Sequence, residues 1–349
     1  MSEYKGIKGF QVQTRTEDPS PTEAQTGDFY YNSTTGQFKQ INTGGAPTGA
    51  FSSGANLPSG QDYMGSIGSN TAALAICGTS PPPSYPNQKK NISYNGSSWT
   101  ELADLNQGRI VGIFGADGST TAAIATAGQG PTPGSPLATL DASETWNGAS
   151  WTEVNEINTA RDNCTSTKSG TSTASLIYMG GTPSPYTDKT ESWNGSSWTE
   201  VNVLNNARER GSGGGTQTNA IAVDGARAPS PANPDGVKYF ETWNGTSWTS
   251  GPDTNTAHMY GASWGTATAA LAVGTDPANN VVEGFNGTAW SEVAEMGTNR
   301  IVHGGGAGLS SSNNGIITGG SDGTASPTDS NAVEEWNADD FLVKTVTTS

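Results

Sequence analysis

The feature that most constrains this chain is a phrase repeated along it. An aromatic residue is followed by Asn-Gly, two small residues, a second aromatic and, ten residues later, usually an arginine. The second aromatics are Trp99, Trp151, Trp198, Trp248, Trp290 and Phe341, with a degenerate copy at Phe51. They stand 48, 52, 47, 50, 42 and 51 residues apart, a period too long for most helical repeats and suited to a small four-stranded sheet. Two further offsets keep the register. Five residues before each from Trp99 onward stand Tyr94, Trp146, Trp193, Trp243, Phe285 and Trp336. Ten residues after Phe51 and the five tryptophans come Gln61, Arg109, Arg161, Arg208, His258 and Arg300.

Between the arginine position and the next aromatic runs a small apolar stretch, for example 122–127 or 174–179, followed by one or two glycines, clearest at Gly180-Gly181 and Gly319-Gly320. The order predicts four short strands per unit. The Asn-Gly pairs Asn95-Gly96, Asn147-Gly148, Asn194-Gly195, Asn244-Gly245 and Asn286-Gly287 predict tight turns, because both residue types tolerate positive φ. Such a turn sets the two aromatics on neighbouring strands, close enough to pair. One unit cannot bury both faces, whereas a ring of units buries all of them. The expected fold is all-β, a β-propeller of six four-stranded blades, with seven as the alternative. Apolar residues make up only 32% of the chain, and it is the periodic Trp and Val/Ile/Leu/Ala strands that argue against disorder. The expected division is an extended arm over 1–26, a hairpin and closure segment over 27–56, the propeller over 57–341 and a tail over 342–349.

The order of arginine, glycine doublet, aromatic and tryptophan resembles the kelch repeat over roughly residues 57–341, and the fold of that family is the β-propeller. The chain departs from the pattern at Gly78-Thr79, Gly128-Gln129 and Gly274-Thr275, which lack the second glycine, and at Gln61 and His258, which replace arginine. The opening Gly27-Asp28-Phe29-Tyr30-Tyr31-Asn32-Ser33 with Thr34-Thr35-Gly36, ahead of units carrying Asn-Gly-Ser-Ser-Trp-Thr-Glu, resembles kelch-like fibre modules of marine tailed bacteriophages. That resemblance implies a noncatalytic virion structural protein, a neck or tail-fibre part in contact with the host surface. It would be made in the host cytoplasm and partnered by neck, portal or tail proteins, a host-surface glycan, or further copies of itself. The alternatives are a glycan-binding or carbohydrate-active propeller, or a cellular kelch scaffold.

Charge and termini narrow the partners. Sixteen basic against 32 acidic residues give a net charge of −16, which disfavours nonspecific attraction to nucleic acid or an anionic membrane. The start MSEYKGIKGF has neither the basic end nor the apolar core of a secretory signal, and no stretch is long enough to span a bilayer. Cys77 and Cys164 fall in different units and read as unpaired core residues.

Reactive constellations are sparse, and no catalytic residue, metal or cofactor is expected. The two histidines, His258 and His303, lack further ligands at metal spacing. Glu101, Glu153, Glu200 and Glu292 recur two residues after the second aromatics, so they are equivalent around the ring, while glycosidase chemistry needs inequivalent carboxyls. Arg109, Arg161, Arg208 and Arg300 read as partners of backbone carbonyls. The Pro-rich segments 81–86, 131–136 and 228–234 are the expected contact loops.

Overall fold

The computed structural model describes residues 12–17, 28–42, 49–78, 89–109, 115–132, 135–181, 186–227, 235–274, 279–301, 304–307, 312–321, 330–338 and 342–345. Residues 1–11, 18–27, His303, Phe341, and the segments 81–86, 133–134 and 228–234 lie outside them. The chain divides into two compact units. One comprises 1–45 with 339–349, and the other comprises 46–338.

The first unit is a sheet of β1 (Gln13–Arg15), β2 (Phe29–Asn32), β3 (Gln37–Asn42) and the last strand of the chain, β30 (Leu342–Thr345). Strand β1 runs parallel to β2, and β3 is antiparallel to β2 and β30. Asn32 makes the β2–β3 turn, its Oδ1 accepting from the backbone N–H groups of Thr34 and Thr35 at 3.0 and 3.1 Å. The expected tail over 342–349 therefore contains a paired strand.

The second unit contains six four-stranded antiparallel sheets among the described residues. The first is β5 (Gly65–Ser69), β6 (Ala72–Ile76), β7 (Asn91–Tyr94) and β8 (Trp99–Glu101). The second is β9 (Gly115–Ser119), β10 (Ala122–Thr126), β13 (Ser143–Trp146) and β14 (Trp151–Val154), with an inserted hairpin, β11 (Gln129–Thr132) and β12 (Ser135–Thr139). The third is β15 (Thr165–Ser166), β16 (Ser175–Tyr178), β17 (Thr190–Trp193) and β18 (Trp198–Val201). The fourth is β19 (Ser212–Thr216), β20 (Asn219–Arg227), β21 (Asp235–Trp243) and β22 (Trp248–Ser250). The fifth is β23 (Ala262–Thr266), β24 (Ala269–Val273), β25 (Val282–Phe285) and β26 (Trp290–Glu292). The sixth takes β27 (Gly304–Ala307), β28 (Asn314–Thr318) and β29 (Val333–Ala338) from the end of the chain, and β4 (Gly49–Ser53) from its beginning.

That last pairing corrects two sequence expectations. Phe51 sits opposite Trp336 in the β29–β4 register, the position that Trp99 takes opposite Tyr94 and Trp151 opposite Trp146. The second aromatic of the sixth sheet is thus Phe51, not Phe341. Phe51 accordingly starts no seventh unit, and the boundary expected after residue 56 falls between 45 and 46.

Each aromatic pair meets at 4.8 to 5.5 Å between ring centroids, a geometry contributing about 0.5–1.5 kcal/mol beyond burial. The inner member is tryptophan in most sheets because its indole N–H has a partner. Trp146, Trp193, Trp243 and Trp336 each donate to a backbone carbonyl of the turn between their sheet's first two strands, at 2.9 to 3.0 Å. The Asn-Gly turns differ in detail from the expectation of two positive φ angles. Only the glycine takes one, φ +89 at Gly96 and +91 at Gly148. The asparagine side chain closes the loop instead, Asn95 Oδ1 accepting from the N–H groups of Ser97 and Ser98 at 3.0 and 2.9 Å.

The core lies between sheets. Ile67, Leu74 and Ile76 of the first pack with Ala123, Ala125 and Trp146 of the second, and Leu176 and Tyr178 of the third pack with Ala220, Ala222 and Trp243 of the fourth. Small residues on these faces are dictated by close approach. A Cβ on Gly315 would lie 2.3 Å from the Trp264 ring.

Candidate functional site

A buried polar system recurs in five of the six sheets. Arg109, Arg161, Arg208 and Arg300 lie just ahead of the first strand of their sheets, at most 1% exposed. Each reaches backbone carbonyls, as Arg109 Nη1 does with Ala127 and Ala142 at 2.7 and 2.8 Å. Each also meets a buried carboxylate on the third strand: Arg109 with Glu144 at 3.4 Å, Arg208 with Glu241 at 2.5 Å, Arg300 with Glu334 at 2.6 Å, and Arg161 with Glu191. The residue three before the arginine position completes the carboxylate's shell, an asparagine at 106, 158, 205 and 255 and Gly297 ahead of Arg300. Asn158 donates its backbone N–H and its Nδ2 to Glu191 Oε2, both at 2.7 Å. The fifth sheet keeps the glutamate, Glu283, opposite His258.

Sequence reasoning missed these glutamates, and the signal was present. Each stands two residues before the first aromatic, at Glu144, Glu191, Glu241, Glu283 and Glu334. In the first sheet, where Gln61 replaces arginine, that position is Ile92. Charge is lost on both sides together, as pairing of buried ions requires. The enclosed pairs belong to the framework. Of the expected histidine pair, His258 is fully buried and His303 lies outside the described residues; no group of three His, Cys, Asp or Glu side chains could hold a metal ion among the described residues. Cys77 and Cys164 are buried.

Two residues beyond the arginine position the chain does something unequal from sheet to sheet. Tyr63, Asn163, Arg210 and Tyr260 all adopt left-handed backbone, with φ of 48, 46, 60 and 54. For residues other than glycine this conformation costs roughly 1–2 kcal/mol each and concentrates at functional positions. The backbone links three of them in sequence, Arg210 N–H donating to Asn163 O and Tyr260 N–H to Arg210 O, both at 2.9 Å. Their side chains converge. Tyr63 of the first sheet meets Tyr260 of the fifth edge-to-face at 6.1 Å, and the Arg210 guanidinium lies 5.0 Å over the Tyr260 ring.

Two carboxylates border this rim on unequal terms. Asp162 accepts from three side chains: Gln129 Nε2 at 2.5 Å and Thr139 Oγ1 at 3.2 Å from the inserted β11–β12 hairpin, and Asn163 Nδ2 at 3.0 Å. Glu209 has an ion pair with Arg210, Oε1 to Nε 3.0 Å. Burial pushes the Glu209 carboxyl up, Arg210 pulls it down and Asp162 adds a further upward push. Both groups crowd one spot, since a Cβ on Gly181 would lie 2.6 Å from Glu209 Oε2 and 2.7 Å from Asp162 Oδ1. Tyr186 stands near enough that burial and the charge of Glu209 raise its phenol above the usual range.

Several small antiparallel sheets with cores between them define an all-β protein of the β-propeller-like class. Among solved structures the chain is similar to YjhT, with a TM-score of 0.65 over 83% of this chain and 99% of that one, at 10% sequence identity. No family model matches the sequence, and no curated protein matches it.

The expectation of a noncatalytic virion part is corrected at this point. The solved structure whose fold the chain shares is YjhT, and the virion, fibre and host-attachment assignments, which rested on the sequence resemblance, are withdrawn. The exclusion of enzymatic activity falls with them. It rested on carboxylates in equal surroundings, whereas Asp162 and Glu209, which share the position one residue beyond the arginine, have different partners.

Proposed function

We propose that this chain is a carbohydrate-active β-propeller that takes a glycan at the rim built by Tyr63, Arg210 and Tyr260. The observation that carries the reading is the convergence of these three left-handed residues beside two inequivalent carboxylates. A pyranose offers an apolar C–H face and a rim of hydroxyls. Tyrosine rings suit the first, and guanidinium, carboxylate and amide groups suit the second. Carboxyls held in different environments are what acid–base chemistry on a sugar requires.

The scaffold in this reading is a kelch-like ring of six blades. Supporting closure, the first strands neighbour one another in order, and β27 stands beside β5. A core cluster of Leu57, Ile92 and Tyr94 with Ile316 and Val333 joins the first and last sheets. In such a ring, residues ahead of each first strand gather about the central axis, which is how Tyr63 and Tyr260 meet from non-neighbouring sheets.

The test is a glycan panel read by calorimetry for binding and by mass spectrometry for product. The expected result is a glycan bound by the native chain, with affinity reduced at least about tenfold in Tyr260→Ala, near the aromatic and cation–π contributions at such sites. A native chain that binds and converts no glycan would overturn the reading, as would binding indifferent to Tyr260→Ala and Arg210→Ala alike.

A further inference from the structure

Resting on the glycan reading of the rim, we propose that Glu209 is its proton-transferring residue, giving a proton to a ligand oxygen and taking one back, while Asp162 is a positioning residue.

Hydrogen bonding separates the two roles. Asp162 spends both oxygens on fixed donors, and two of these, Gln129 and Thr139, tie the β11–β12 hairpin of the second sheet to the third. Its geometry is committed to those donors. Among the described residues the Glu209 carboxylate, unlike that of Asp162, accepts no hydrogen bond. Its ion pair with Arg210 is off-axis, for Arg210 Nε, though buried, finds no acceptor in line. The Glu209 side chain is 8% exposed, so solvent does little to stabilise its anion.

The shared spot beside Gly181 sharpens the difference. Two carboxylates that approach so closely are held more cheaply when one carries a proton. The less hydrogen-bonded member takes it, and this agrees with burial pushing the Glu209 carboxyl up. The charged and titratable groups facing Glu209 are Arg210, Asp162 and Tyr186.

The step balances within these groups. The Glu209 O–H bond breaks and an O–H bond forms on the ligand oxygen. The electron pair stays on the carboxylate, where Arg210 at 3.0 Å offsets the new charge. The return transfer restores the acid, and no oxidant or co-reactant is involved.

The test uses the full chain with Glu209→Gln and Asp162→Asn. Infrared difference spectra of the native chain against Glu209→Gln, taken just above the ordinary glutamate range, should contain a protonated-carboxyl band absent from the variant. With a glycan from the panel, Glu209→Gln should keep affinity within about threefold, lower turnover about 100-fold or more, and lose the alkaline limb of the pH–rate profile. Asp162→Asn should keep that limb. Absence of the carboxyl band would overturn the assignment, and so would a Glu209→Gln variant with native turnover or a native alkaline limb. If the native chain binds no glycan at all, the rim reading fails first, and the proton transfer falls with it.

Discussion

His258 Nδ1 lies 2.8 Å from Asp224 Oδ2, both side chains fully buried, and the two residues come from different sheets. Asp224 also accepts from the His258 backbone N–H at 2.9 Å and from Thr254 Oγ1 at 2.8 Å. The one described sheet with histidine at the arginine position is thus the one whose neighbour supplies a carboxylate, where other sheets have Cys77, Ala127 or Met179 in the same left-handed backbone. His258→Ala removes the partner and leaves a buried carboxyl behind. We expect a loss of about 3–5 kcal/mol in urea unfolding, with Asp224→Ala alone costing no more.

The arginine–glutamate pairs make a related prediction. Glu144→Ile strands Arg109, and should cost about 3–5 kcal/mol. The double variant Arg109→Gln with Glu144→Ile reproduces the neutral combination that the first sheet carries at Gln61 and Ile92. It should recover a large part of that loss, which a double-mutant cycle in chemical denaturation measures directly.

Phe51 and Trp336 are expected to be energetically coupled. Phe51→Ala should destabilise the fold by about 1–3 kcal/mol, less than for a fully enclosed ring because Phe51 is only half-buried. The cycle with Trp336→Leu should return a coupling near 1 kcal/mol, in the range of aromatic pairs.

Burial pushes the Cys77 thiol up to about 12. At pH 8 the folded chain should therefore present almost no thiolate at that position, and a thiol–disulfide exchange reagent should label it only as fast as the protein unfolds. Labelling of Cys77 at the rate of a free thiol would contradict the buried placement.

The raised Glu209 carboxyl predicts the sign of a stability change. Its folded form holds the proton more tightly than the unfolded form, so stability is intact below the ordinary glutamate range. It declines as pH rises from that range to the raised folded value. Glu209→Gln cannot titrate. Relative to the native chain it should gain urea midpoint across that interval and show no comparable gain below it.

The fold was legible in the sequence wherever its determinants are local. Aromatic, Asn-Gly and aromatic span a handful of residues, and a turn that short can only set the rings on paired strands. The partner of Trp336 was not legible, because it enters from the opposite end of the chain and no spacing rule connects them. The buried glutamates form a second register two residues before five of the six first aromatics, but the exposed glutamates two residues after the second aromatics make an equally regular series. The rim was hidden for a different reason. Tyrosine and arginine carry no signature of left-handed backbone, and the surrounding ring imposes it on Tyr63, Arg210 and Tyr260.

The strand Gly49–Ser53 emerges from the ribosome long before its partner Val333–Ala338. While the five intervening sheets are being made the early strand has no edge to join, and the sixth sheet cannot assemble until they have all appeared. Sheets one to five can form in the order they appear, but the last pairing must find a segment almost a whole chain length away, the kind of contact that slows folding. A truncated product ending before residue 333 would carry two open edges at once, so aggregation of such fragments is the hazard this architecture leaves to the cell.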